Sequence, residues 1–163
     1  MTELNKINKI DLKILSILQT NARITNQQLA EQVHLSASAC LSRVKRLEAS
    51  GVLKRYVTEI DLNKLAPHVE AFAEVTLESH SPDDFKKFDA AVKGVAEVTD
   101  SYKISGAYDY LLKFVCTDVK SYNIVSEHLI TNGVGIAKMN TLIILDRTKD
   151  FSGFPLERLV SIN

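Results

Sequence analysis

Small hydroxyls and cations at helical spacing are the chemistry this chain puts forward first. Ser38, Ser42 and Lys45 follow one another at i, i+4 and i+7, with Arg46 beside them, Arg43 on the flank and Ser36 just upstream. A guanidinium presents a planar fork of donors that matches guanine O6 and N7, whereas serine and lysine more often hold phosphate oxygens. A helix with such a face fits the major groove of a DNA duplex. Lys54 and Arg55 follow, placed for phosphate. Between Ser36 and Tyr56 these five cations meet a single acid, Glu48. The competing role for Arg43, and less so for Arg46, is an ion pair inside the protein, with Glu48 or another acid. For Lys54 and Arg55 it is ordinary solvated charge.

The elements that would position this face are legible around it. Thr25, with Gln28 three residues on, forms a capping box. Leu29, Ala30 and Val33 then recur at helical spacing. His34 and Leu35 break the pattern, Ser36 caps the next helix, and Cys40, Val44 and Leu47 form its buried stripe. Gly51 stands where a helix stop wants a residue tolerant of positive φ. Upstream, Ile7, Ile10, Ile14 and Leu18 give a first helix. The spacing predicts three helices and then a short strand pair over Val52–Ile60, a wing. Residues 1–61 are thus expected to form a winged helix-turn-helix, followed by a linker over 62–68 that contains Pro67.

Charge divides the chain. Residues 1–66 hold ten Lys and Arg against six Asp and Glu; residues 67–163 hold ten against fourteen. The net charge of zero therefore hides a basic half and an acidic half. A length of 163 residues with 45% hydrophobic content suits one or two small domains. Cys40 and Cys116 each lie on an apolar stripe and read as buried thiols, which fits a reducing, cytoplasmic setting. No apolar run resembles a signal peptide or is long enough to cross a bilayer, so no membrane partner is expected. The four histidines lack ligand spacing, so no metal is expected. No nucleophile–base constellation or phosphate-cradling glycine loop is present, and neither an enzyme nor a cofactor is expected.

The second half alternates its periods. Val69, Ala71, Ala73, Val75 and Leu77 mark a strand with one buried face. Ser81-Pro82-Asp83-Asp84 starts a helix, with Phe85, Phe88 and Val92 as its stripe and Gly94 at its end. Strands over Val98–Ile104 and Tyr108–Cys116 flank the turn Ser105-Gly106-Ala107. Asp118 caps a second helix with Tyr122, Val125 and Leu129, and Ile136–Leu145 is the last strand. This β-α-β-β-α-β order over 69–163 predicts an α+β domain, a four-stranded antiparallel ferredoxin-like sheet with both helices on one face. Its other face keeps Phe72 and one side of the 108–116 strand, so a homodimer formed sheet to sheet is expected. Glu70, Glu74 and Glu78 alternate along one strand face, either to pair across an assembly interface or as a solvated face. The stretch from Arg147, with Phe151, Phe154, Leu156 and Leu159, either packs on a neighbour or closes its own subunit.

Three pieces together resemble the Lrp/AsnC, or feast/famine, family of transcriptional regulators. They are Asp11-Leu12-Lys13-Ile14-Leu15 followed by Gln19-x-Asn21-x-Arg23; Leu35-Ser36, Cys40, Arg43-Val44, Arg46-Leu47-Glu48 and Gly51-Val52; and Ser105-Gly106-Ala107-Tyr108-Asp109-Tyr110-Leu111-Leu112. The resemblance covers nearly the whole chain. It implies a winged helix-turn-helix joined to a ferredoxin-like regulatory (RAM) domain, and homodimers that assemble further, commonly to octamers. It also implies an amino acid effector bound between dimers near the glycine-containing loop, changing assembly or DNA affinity. On that expectation Asp109 meets the effector's ammonium, and backbone N–H groups around Gly106, between Ser105 and Ala107, meet its carboxylate. Tyr108 walls the side chain, with Tyr102 and Thr141 as further candidates. The competing role for Asp109 is to cap local backbone. The aromatic and aliphatic surroundings hint at a leucine- or methionine-like effector. The expected function is a sequence-specific, effector-responsive regulator; the alternative is an architectural protein that organises DNA with weak specificity.

Overall fold

The structure is a computed structural model and describes residues 7–160. Residues 1–6 and 161–163, the outer ends of the two expected domains, lie outside the described residues. The chain divides into two compact units. One ends at Glu59 and takes up the chain again from Lys149; the other is Ile60–Thr148. The second boundary differs from the expected 69–163, because the C-terminal segment packs with the first unit.

In the first unit, α1 (Lys9–Leu18) begins at Asn8. The Asn8 side chain accepts from the N–H groups of Ile10 and Asp11, and the Asp11 carboxylate accepts from Asn8 N–H. The Thr25 box forms as expected and starts α2 (Asn26–Gln32). Ser36 accepts from Ala39 N–H and starts α3 (Ala37–Ala49). Ile14, Leu29, Cys40 and Leu47 are nearly or wholly buried in the core between the three helices. Each large aliphatic so buried contributes about 1.5–3 kcal/mol. The turn from α2 to α3 puts His34 at φ +57°, a left-handed conformation that costs a side-chain-bearing residue about 1 kcal/mol. Gly51 takes the same region at φ +72° after α3.

The expected wing is corrected. No strand forms over Val52–Ile60. Leu53 N–H donates to Leu47 C=O at 3.0 Å, and the chain then runs on with Val57 and Ile60 more than 60% exposed. A hairpin needs a reversing turn, and this run contains no Gly, Pro, Asn or Asp to make one.

The second unit is α+β. Its elements are β1 (Val69–Leu77), α4 (Pro82–Lys93), β2 (Val98–Lys103), β3 (Tyr110–Cys116), α5 (Val119–Thr131) and β4 (Ile136–Ile143). The sheet runs β2-β3-β1-β4, with every neighbouring pair antiparallel. Ala71, Ala73 and Val75 stand opposite Phe114, Leu112 and Tyr110 on the face that both helices cover. Phe88 and Val92 of α4, with Tyr122 and Leu129 of α5, complete that core. The uncovered face carries Phe72 opposite Leu142 and Lys113, and Tyr102 opposite Leu111.

Candidate nucleic-acid interface and ligand loop

The α3 surface separates into two sets of side chains. Ser38, Ser42 and Lys45 are exposed along one face, together with Leu41 at 42% exposure. Leu41 escaped the sequence reading because an apolar residue beside a buried stripe passes for core. It gives this face an exposed apolar group, of the kind that can meet a thymine methyl in a major groove. Ser36 is occupied as the helix cap, and its hydroxyl lies 3.2 Å from that of Ser38.

Arg43 and Arg46 turn the other way. Arg43 reaches one oxygen of Asp11 at 2.9 Å and Arg46 the other at 2.6 Å. Asp11 is wholly buried, so the two guanidiniums neutralise a charge that could not otherwise stay inside. The competing ion-pair role thus applies to both arginines, with Asp11 as the acid. Glu48 instead accepts from Tyr56 Oη at 2.8 Å. Burial and this carboxylate push the Tyr56 hydroxyl up to about 12. The pairing fastens α3 to α1 and leaves Arg46 half-exposed at its outer edge. Among the described residues, Lys45, Lys54 and Arg55 form no ion pair and are exposed. Arg23, at the exposed turn before α2, adds a fourth such cation that the sequence reading did not assign.

In the second unit the loop 104–109 closes between β2 and β3. Ile104 N–H donates to Asp109 C=O, and Asp109 N–H donates to Val75 C=O at 2.8 Å. The Asp109 carboxylate accepts from Leu77 N–H at 2.8 Å and meets His80 Nε2 at 3.1 Å. The local capping role is therefore filled. Gly106 sits at φ +128° with open space on its Cβ side. Among the described residues, the N–H groups of Ser105, Gly106, Ala107 and Tyr108 donate to nothing within the chain.

Tyr108 and Tyr102 belong to the uncovered face. Tyr108 Oη bonds Glu74, which raises the phenol above its ordinary range. Glu74 also accepts from Asn140 Nδ2 at 2.8 Å. Glu70 takes Lys113 and lies 3.6 Å from His68, and the Lys113 ammonium holds its carboxyl below the usual range. Glu70 and Glu74 are thus partnered within their own sheet, which neither expected role for them foresaw. Thr141 is not brought to the loop. It stands opposite Ala73 on the helix-covered face, 2.6 Å from Tyr122 Oη. Period-two alternation does place it there, since it is an even number of residues from the core residue Met139.

No metal-ligating cluster forms among the described residues. Cys40 and Cys116 are buried free thiols, and burial raises both, so neither has thiolate character. No helix among the described residues is long and apolar enough to cross a membrane.

Residues 7–54 match the winged helix-turn-helix DNA-binding family model, and residues 70–154 match the Lrp/AsnC ligand binding domain. The chain is 35% identical over 144 residues to the transcriptional regulatory protein DoeX of Halomonas elongata, covering 88% of this chain and 91% of that one. It is 32% identical over 143 residues to the leucine-responsive regulatory protein of Escherichia coli, covering 88% and 87%. An AsnC family regulator from Agrobacterium tumefaciens superposes with a TM-score of 0.85 at 30% identity, over 94% of this chain and 99% of that one. A Neisseria meningitidis regulator, solved as an L-methionine complex, superposes at 0.82, also at 30% identity and with the same coverage. A helix-turn-helix followed by a ligand-binding sheet, each matched by its family model, makes this chain a member of the Lrp/AsnC family of transcriptional regulators.

Proposed function

We propose that this regulator binds promoter DNA through Ser38, Leu41, Ser42 and Lys45, with Lys54, Arg55 and Arg23 on phosphate. Arg43 and Arg46 hold the reading helix in place, and Arg46 adds an outward donor to the backbone. A free amino acid modulates that binding. The observation that carries this reading is the set of N–H groups at Ser105–Tyr108 that have no partner within the chain, beside the Asp109 carboxylate. Backbone amides with no partner within the chain are open to a carboxylate, and a carboxylate with spare lone pairs receives an ammonium. Among the described residues, the one side chain seated on the Asp109 carboxylate is His80, itself 60% exposed and displaceable. Tyr102 and Tyr108 frame the side chain, which suits an apolar amino acid such as methionine or leucine. The L-methionine complex of the Neisseria relative is consistent with that class.

The uncovered sheet face would be closed by a second copy, giving a dimer that presents two reading helices; octamers would be a further step of the same kind. A cytoplasmic setting goes with this role. The experiment is a thermal-shift screen of the full chain against the twenty amino acids. A ligand that binds only the folded state raises Tm, by about 2.7 kcal/mol of stabilisation at a hundred times its Kd. A hit confined to one or two apolar amino acids supports the reading. No shift with any of them removes the effector and favours the architectural alternative.

A further inference from the structure

The C-terminal segment is fastened to α1 by a reciprocal pair of bonds that no known role of the chain uses. Gln19, the C-cap of α1, donates through Nε2 to Phe154 C=O at 3.0 Å and accepts through Oε1 from Phe154 N–H at 2.8 Å. Phe151 and Phe154 stack edge to face at 4.9 Å beside this clasp, and α6 (Leu156–Leu159) packs on α1. Gly153 sits at φ +101°, and a Cβ there would lie 2.7 Å from Gln19 Nε2. Any other residue at this position must therefore push away the amide that makes the clasp.

The same segment is the direct continuation of β4. Ile144 N–H still donates to Glu70 C=O, so the link to Lys149 is 145–148, at most about 14 Å when extended. The other connection, 60–68, has more than twice as many residues. A continuous series of bonds can be followed from the ligand loop outward. Asp109 bonds Val75 and Leu77 of β1; β1 pairs with β4; β4 runs into the segment; Gln19 grips it; and Asp11 of α1 holds Arg43 and Arg46 of α3.

We propose that Lys149–Val160 is a strap that couples the sheet to the reading helix, with Gln19 and Gly153 as the positioning residues of its anchorage. The strap acts on the responsive binding described under the proposed function and rests on that reading for its ligand, though the mechanical link does not. Coupling between two sites is reciprocal, so it can be read from the DNA side.

The test is hydrogen exchange of the full chain, followed by mass spectrometry on peptides covering β4, with and without sheared random-sequence duplex DNA. In the wild type, DNA should slow exchange in β4 on the order of fivefold. Gln19→Ala and Gly153→Ala should leave DNA affinity within about twofold, because neither residue lies on α3, and should abolish the β4 response. An unchanged β4 response in both variants, or a wild-type β4 indifferent to DNA, overturns the strap. Gln19→Ala removes no buried apolar group, so it tests the link even if Gly153→Ala misfolds. The twenty amino acids are then added as one mixture and DNA affinity is read again. A wild type indifferent to the mixture but with a Gln19-dependent β4 response would sink the effector and keep the strap. A responsive wild type whose response survives Gln19→Ala would do the reverse.

Discussion

Asp11 shows how one side chain can decide what its neighbours are free to do. Its two oxygens accept from Arg43, Arg46 and the Asn8 amide, and no water reaches it. Asp11→Asn takes the carboxylate from two guanidiniums that are themselves partly exposed, so chemical denaturation should show a loss of about 1–3 kcal/mol. Lys45 makes no such bond, and Lys45→Ala should leave stability unchanged. It should weaken binding to all DNA sequences alike and lower the salt slope of log K by about 1, as measured by fluorescence anisotropy. Glu70 gives the acid-side test. Lys113 holds its folded value below 4.5, so its contribution is complete above pH 4.5 and fades as pH falls through the lower folded value. The Glu70→Gln variant should be less stable than wild type at neutral pH and should lose less on acidification, with the two denaturation curves converging at low pH.

At the scale of elements, the turn between α2 and α3 holds a residual cost. His34 occupies φ +57° without being glycine. His34→Gly should raise stability by about 0.5–1 kcal/mol in thermal unfolding, since the relief of strain exceeds the added chain entropy. The starts of α2, α3, α4 and α5 were legible because Thr25, Ser36, Ser81 and Asp118 each have one local duty, an oxygen for an exposed helical amide. The Asn8–Asp11 box was equally local, but Asp11 reads as surface charge until α3 is packed against it. Long-range partners were not legible. Nothing local to Arg43 points to an acid thirty-two residues away, and nothing in Phe151–Leu159 points to Gln19. The wing failed for a different reason. Val52–Ile60 has strand-forming residue types, but its own sequence holds no turn to supply a second strand.

For the whole molecule, the uncovered sheet face sets the expected assembly. Phe72 and Leu142 face each other there, with Leu142 46% exposed; Glu70 is already paired with Lys113, and Glu74 already accepts from Asn140. A face with apolar centres and internally satisfied acids suits burial against its own copy better than water. Leu142→Lys should shift sedimentation at micromolar concentration toward monomer. DNA affinity should fall with it, because two linked reading helices bind more tightly than one. A wild-type monomer under the same conditions would remove the sheet-to-sheet dimer.

The most direct measurement is the affinity of the full chain for its promoter DNA, by anisotropy, with and without the amino acid that gives the largest thermal shift. It is made on the wild type and on Gly106→Val, which at φ +128° cannot keep the loop's backbone as it is. The expected result is a change in wild-type Kd on the order of fivefold or more, absent in the variant, with both proteins binding equally in the absence of amino acid. An equal response in the two proteins would contradict the placing of the effector at Ser105–Asp109. No response in either would contradict the claim that this regulator senses an amino acid at all.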